Sequence, residues 1–382
     1  IAVLVAAVIL QTRRNYSSHP LLNRWAATLG VLFVIQIVLG GLYAIPTLPY
    51  EAIKFTHQLL TTATWSALVI LGTICYFTAE TVVPALSPAK TPMSVREKAL
   101  IYFKLTKPWV MILLLITTLA AMVIAAEGIP PVQLMLYTLL GGILSAGGAS
   151  VLNSYIDSDI DQVMSRTSRR ATVTGVVTPQ ETLVLGLALS ALSFLVFALF
   201  VNTLSAVLST VGIIYYVFFY TLYLKRTTIH NILIGGAAGA IPPLVGWTAV
   251  TASLDLGALY LFAIIFFWTP PHTWALAMMV KKDYFRAGVP MLPVVVGEKE
   301  TSYQIWLYSL LLIPLTLLPF TFNMVSWVYL LLATVLGVRF LSLAWKLWQD
   351  HTNKSLSRKL YKYSQSYLAL LFLIMAVDRT LF

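Results

Sequence analysis

Asn153, Asp157 and Asp161 stand four residues apart in the stretch "LNSYIDSDIDQVMSRTSRR", residues 152–170. In a continuous helix a four-residue step turns by roughly 40°, so the amide and the two carboxylates would form one stripe. These are hard oxygen donors. They suit Mg²⁺, which takes a few carboxylates, keeps several waters and accepts substrate phosphate. Arg166 and Arg170 follow, again four apart, and the planar guanidinium fork matches phosphate oxygens. Acids followed by arginines could hold a diphosphate, with the metal bridging it and the guanidinium groups neutralising the rest. Asp159 points to another face and reads as solvated. The bland alternative is a charged loop whose aspartates offset its arginines. Asn153 in register at the end of an apolar run favours the site.

Two further polar stretches belong with it. "HTWALAMMVKKDYFRAGVPMLPVV" has Asp283 as its one carboxylate, beside Lys281 and Lys282, and Gly288, Pro290 and Pro293 mark an ordered turn. "YLKRTTIHN" supplies Lys225 and Arg226. Asp283 reads either as a second acid of the site or as a local partner of a lysine. Lys225 and Arg226 read as diphosphate contacts or as ordinary anchors. His272, after "TPP", is a packing histidine, a ligand or an acid–base group.

The elements that must position these residues are membrane helices. The chain has 382 residues, 59% hydrophobic and 10% charged, whereas an ordinary soluble domain is about 25% charged. Apolar runs near twenty residues give spans at 25–44, 58–80, 108–126, 132–152, 178–199, 204–223, 231–250, 256–279, 304–321, 325–347 and 361–381. The net charge is +11, but the basic residues sit in short segments between spans and form no single patch, which argues against nucleic acid. Cys75 is the single cysteine, so a disulfide framework and a cysteine-based metal site within the chain are excluded. "IAVLVAAVIL" reads as the end of a span, with the N-terminus expected to be a truncation. "VPALSPAKTPMSVREK" is the expected linker, dividing two spans from nine.

With these spans the lysines and arginines gather on one side. Lys54 and Arg379 fall on the other, and Arg339 within a span. The basic side should be cytoplasmic. The three polar stretches all open there, with a weak internal echo between the spans ending near 152 and 279.

"NSYIDSDIDQVMSRTSRR" resembles the first N-x-x-x-D-x-x-x-D motif of the UbiA-type membrane prenyltransferases. "LTKPWVMILLLIT", "YLKRTTIHNILIGGAAGAIPPLVGW", "WTPPHTWALAM" and "DYFRAGVPMLPV" resemble the heme O synthase branch of that family, in its order, over residues 96–382. The resemblance implies an all-α integral membrane protein: a nine-helix bundle with a central cavity, plus about two extra N-terminal transmembrane helices. It implies residues 1–85 as an N-terminal fragment, 86–98 as a linker and 99–382 as the prenyltransferase domain. The implied activity is Mg²⁺-dependent farnesyl transfer from farnesyl diphosphate to a vinyl group of heme b, giving heme O. Asn153, Asp157 and Asp161 match the first metal–diphosphate motif, and Asp283 the second-motif acid. Arg166, Arg170, Lys225, Arg226 and Lys281 are then diphosphate contacts, and His272 a substrate or heme contact. The sequence departs from the pattern in having one acid in the second motif and Thr273 in place of an aromatic.

"QIVLGGLYAIPTLPYEAIKFTHQLLTTATWSALVIL" resembles the last two helices of the heme A synthase family. That implies a fused partner portion with His57 as an axial heme ligand, its histidine partner lying outside this chain and His19 a poor substitute. The alternative is two packing helices with His57 near the membrane interface. Three rivals for the whole chain remain. A transporter would place ionisable groups at the bilayer midplane. An alcohol–phosphate transferase would carry an Asp-Gly and Ala-Arg pattern absent here. A UbiA-type enzyme acting on an aromatic or quinone precursor is countered only by the heme-branch motifs. The expected setting is a bacterial cell membrane, with the lipid bilayer, farnesyl diphosphate and heme b as partners and no nucleic acid.

Overall fold

The computed structural model describes residues 20–43, 50–80 and 94–381. The expectations for the first ten residues, Arg13, Arg14, His19, Lys90 and linker residues 86–93 lie outside the described residues, as do the side chains of Lys54 and Cys75. The chain divides into two compact units, Ile1–Pro88 and Ala89–Phe382.

In the first unit α1 (Pro20–Tyr43) packs on α2 (Tyr50–Glu80). Leu22, Ala26 and Leu29 are buried at helical spacing on α1, and Ala67, Leu71 and Ile74 on α2, so each helix offers one seam. Gln36 donates to the His57 carbonyl at 3.2 Å, and its Nε2 also lies 3.2 Å from His57 Nε2.

The second unit opens with α3 (Val95–Leu105), started by a capping box in which Ser94 and Glu97 satisfy each other's backbone N–H groups. The helices α4 (Pro108–Ala126), α5 (Val132–Ile156), α6 (Ser158–Val163), α7 (Pro179–Phe200) and α8 (Thr203–Ile214) follow. α8 runs on as a π-helix, Tyr215–Leu224, and one α turn, Lys225–Thr227. Next come α9 (Asn231–Thr251), α10 (Leu256–Met279), α11 (Lys281–Arg286) and a single turn, Leu292–Val295. α12 (Gly297–Leu317) ends in a 3₁₀ turn, Leu318–Phe322, and α13 (Trp327–Gln349) and α14 (Lys354–Leu381) complete the chain. Among the described residues there is no strand, and nine helices are long and apolar enough to cross a membrane. The expected all-α architecture therefore stands.

α9 and α10 are the most enclosed of these helices, with α4, α8, α12 and α14 packed around them. Lipid gives helices no hydrophobic reason to associate, so small residues and interhelical hydrogen bonds must hold them. Ser193 of α7 donates to the Gly141 carbonyl of α5 at 2.8 Å. Ser205 and Thr248 bond across α8 and α9 at 2.9 Å, and Trp268 Nε1 donates to the Ser364 carbonyl at 2.9 Å. Such bonds contribute about 0.6 kcal/mol each on average. Gly246 lets α9 lie directly on the Thr118 carbonyl of α4, where any Cβ would collide.

Several boundaries differ from the sequence expectation: α1 begins at Pro20, α2 at Tyr50, and α5 runs on to Ile156. α12 begins at Gly297 and α14 at Lys354, because their polar first turns extend beyond the apolar window; Glu298 and Glu300 suit the positive end of α12. The span expected at 204–223 changes from α to π geometry after Ile214. The stripe helix does not run through unbroken either. Asp157, at φ −83° and ψ 10°, separates α5 from α6. Backbone bonds from Asp157 to Asn153 (2.9 Å) and from Asp161 to Asp157 (2.7 Å) still preserve the four-residue spacing.

Candidate functional site

The end of α5 and the start of α6 bury the acidic stripe. Asn153, Asp157 and Asp161 are 5%, 2% and 3% exposed. Burying carboxylates is costly unless they are paired, and each is paired. Asn153 Nδ2 donates to Asp157 Oδ2 at 2.7 Å and to Thr221 Oγ1 at 3.2 Å. Lys225 Nζ donates to Asp157 Oδ2 at 2.6 Å. Arg170 pairs with Asp161 Oδ2. Asp157 Oδ1 is buried without a hydrogen-bond donor, with Arg226 Nη2 at 3.7 Å.

Arg226 spends its fork elsewhere: Nη1 and Nη2 donate to the two oxygens of Asp159 at 2.6 and 2.8 Å, and Nη2 also to the Ile156 carbonyl at 3.0 Å. Asp159 is the exposed member of the run, but it is an ion-pair partner and not simply solvated. Its pairing clamps the Lys225–Thr227 turn onto α6.

Asp283 lies on α11, 7% exposed, and accepts from Ser165 Oγ at 2.7 Å. That bond ties the loop after α6 to the second polar stretch. Tyr284 beside it has its phenol pushed up by burial, with the charges of Asp157 and Asp283 adding to the effect and Arg166 and Arg170 opposing it. The two acidic stretches therefore share one electrostatic neighbourhood. Arg166 is exposed at its edge, and Lys281 turns instead to Glu298, at 3.6 Å.

In the sequence, Lys107 reads only as one of the lysines on the basic side. It occupies the left-handed region (φ 56°) just before Pro108, and its Nζ donates to Asn153 Oδ1 at 2.7 Å. Burial, then the Arg170 charge, lower its pKa to about 7 against the pull of Asp157 and Asp161. The signal was the Lys-Pro pair opening a span, since proline fixes the first helical residue and sets the lysine outside it. Thr221, held by the π-helix where its Oγ1 donates to the Tyr216 carbonyl at 2.8 Å, and Ser165 had no sequence signal.

Beside the acids opens a cavity of about 470 Å³, lined by α4, α5, α8, the π-helix, α9 and α10. Met111, Leu114, Ile213 and Val245 give its greasy wall, and Ser150, Tyr216, Tyr220 and Tyr284 also line it. Tyr216 and Tyr220 stack at 5.5 Å. His272 is not part of the lining, although Thr269 and Thr273 of the same helix are. Its ring is sandwiched between Trp268 (4.3 Å) and Tyr361 (4.8 Å), and Nδ1 lies 2.7 Å from Ser364 Oγ. His57 belongs to the first unit, where it is the one histidine among the described residues.

Among the described residues no three His, Cys, Asp or Glu side chains form a ready metal cage. The donors present are a buried carboxylate oxygen lacking a donor and a second carboxylate four residues on. This set fits Mg²⁺, which relies on one or two carboxylates and completes its shell with water and phosphate. The surrounding cations, Lys107, Arg170, Lys225 and Arg226, could turn to a polyanion.

The model of the UbiA prenyltransferase family matches residues 114–371. A protein named protoheme IX farnesyltransferase from Roseiflexus castenholzii is 46% identical over 400 residues, covering 100% of this chain and 74% of its own. In fold, the chain resembles a solved structure described as digeranylgeranylglyceryl phosphate synthase (TM-score 0.62, 18% identity, 74% of this chain and 99% of that one). It also resembles a UbiA homolog from Archaeoglobus fulgidus bound to DMAPP and Mg²⁺ (TM-score 0.55, 17% identity, 72% and 99%).

Proposed function

The chain belongs to the UbiA prenyltransferase family, a multi-pass integral membrane protein, and from that premise we propose that it farnesylates heme b. Farnesyl diphosphate is the donor, a vinyl group of protoheme IX the acceptor, heme O the product and Mg²⁺ the cofactor. The observation that carries this reading is the buried Asn153–Asp157–Asp161 stripe, ringed by cations, beside an apolar cavity. The name of the Roseiflexus relative supports heme as acceptor, and the ligands of the Archaeoglobus homolog support a prenyl diphosphate with Mg²⁺.

Asp157 and Asp161, with Asp283 and the Asn153 amide, would hold Mg²⁺, which supplies positive charge against the departing diphosphate. Arg170, Lys225 and Arg226 exchange part of their bonding from carboxylates, and Lys107 from the Asn153 amide oxygen, to phosphate oxygens, with Arg166 at the edge. They stabilise charge as it develops on the leaving group. The allylic C–O bond breaks and its electron pair leaves with diphosphate. The vinyl π pair then forms the new C–C bond. The cation left on the acceptor takes the lone pair of a water, which loses a proton. The apolar wall keeps water from the allylic cation until the C–C bond has formed and accepts the farnesyl chain from the bilayer. The basic loops face the cytoplasm of a bacterial cell membrane in this reading. For the first unit two readings stand side by side: His57 as a heme contact in a fused partner portion, from the resemblance to heme A synthase, or two packing helices with His57 near the membrane interface.

The test is incubation of the purified full chain with heme b, farnesyl diphosphate and Mg²⁺, with products identified by mass spectrometry. Heme O is expected. Prenylation of an aromatic or quinone precursor with no heme product would overturn the acceptor.

A further inference from the structure

Arg339 sits inside α13, ten residues before Gln349, so its Cα lies on the order of 15 Å along the helix from the basic end. It is exposed. Its guanidinium lies over the Tyr363 ring of α14 at 4.8 Å, and Tyr363 Oη donates to the Leu336 carbonyl at 2.9 Å, which fixes the register of the two helices. Arginine stays charged, and a charge at this depth is expensive without a counter-charge. These two helices do not supply one. α13 contains no acid, and Asp378, the one acid of α14, is at the far end, accepting from Ser326 and the Tyr329 N–H. Asp350, after α13, is held by Asn353 at 2.9 Å and Thr352 at 3.3 Å.

More positive charge lines the approach to Arg339. Lys346 is seven residues on, on the same face of α13. Lys359 lies one turn before Tyr363 on α14, and Lys362 directly precedes it; all three lysines are exposed. The groove between α13 and α14 is therefore a cationic track running from the basic membrane surface into the hydrocarbon, on the outside of the bundle. None of its residues lines the cavity.

We propose that this groove binds an anionic phospholipid, its headgroup phosphate drawn down to Arg339 and flanked by Lys346, Lys359 and Lys362. Basic pockets between helices on the cytoplasmic side have the chemistry to hold such headgroups. Tyr363 holds the guanidinium plane ready while it stays partly desolvated. The acyl chains lie against the neighbouring apolar flanks, which a soluble anion could not use.

The test is native mass spectrometry of the purified full chain with phosphatidylglycerol or phosphatidylcholine of matched acyl chains, and separately with inorganic pyrophosphate as competitor. Preferential retention of phosphatidylglycerol is expected. Arg339→Gln should weaken it about fivefold and Lys359→Gln/Lys362→Gln further, on the order of fivefold per charge, with farnesyl transfer retained. Equal retention of the two lipids, or wild-type binding by the variants, overturns the proposal. Displacement of phosphatidylglycerol by pyrophosphate also overturns it, since the groove would then be a site for soluble phosphates. Should Arg339→Gln fail to accumulate, the exposed double-lysine variant decides by the same readout.

Discussion

At the scale of single residues, the acids of the site are coupled to cations so tightly that truncating one tests two things at once. Asp157→Ala would leave Lys225, only 12% exposed in its side chain, facing a void, and stranding a buried charge costs about 3–5 kcal/mol. Asp157→Asn keeps the shape and one acceptor oxygen. We expect Asp157→Asn to fold, to keep most of its melting temperature and to lose farnesyl transfer by about 100-fold or more; Asp157→Ala should lose activity and stability together. Comparing product formation with thermal unfolding for both variants separates the effects, and wild-type turnover in Asp157→Asn at saturating Mg²⁺ would remove the metal assignment. Chelation with EDTA should abolish transfer, and added Mg²⁺ should restore it. Asn153, Asp157 and Asp161 were legible because their chemistry lies in a local spacing. Lys107, Thr221 and Ser165 were not, because their importance comes from contacts 46, 68 and 118 residues away.

At the scale of elements, hydropathy located the spans of the second unit but not their internal geometry. The run from Thr203 to Thr227 is apolar throughout most of its length, so no window could separate its α turns from the π-helix between Tyr215 and Leu224. The wider π turn sets Tyr220 against Gly235 of α9, where an added Cβ would overlap the ring, and sets Thr221 against Asn153. Insertions of this kind frequently mark functional sites. Gly235→Ala should therefore push Tyr220 out of place, cost about 1–3 kcal/mol by overpacking and reduce transfer. Gly239→Ala on the same helix, where an added Cβ meets nothing within 4 Å but points at the cavity that Gly239 also lines, is the control for stability. Equal melting temperatures for the two variants would mean that the Tyr220 contact is not overpacked by the Cβ at 235.

At the scale of the whole molecule, every residue assigned to farnesyl transfer lies in one of the two units. Asn153, Asp157, Asp161 and Asp283, their cations and the cavity fall within Ala89–Phe382, as does the family match. That unit also contains its own stabilising contacts: the capping boxes at Ser94 and Thr178, the Lys98–Glu181 pair and the hydrogen bonds between its helices. The polar stretches after α5, α8 and α10 could be assigned to one face from charge alternation alone, yet the bonds closing that face, Ser165 to Asp283 and Arg226 to Asp159, needed coordinates. A chain of residues 89–382 should therefore insert, fold and make heme O at a rate within about threefold of the full chain, a difference of less than 1 kcal/mol in barrier. Side-by-side turnover in the same lipid checks this. A folded 89–382 chain that binds farnesyl diphosphate but forms product tenfold more slowly would mean that the first unit acts on the acceptor. Replacing His57 in the full chain would then show whether its imidazole is responsible.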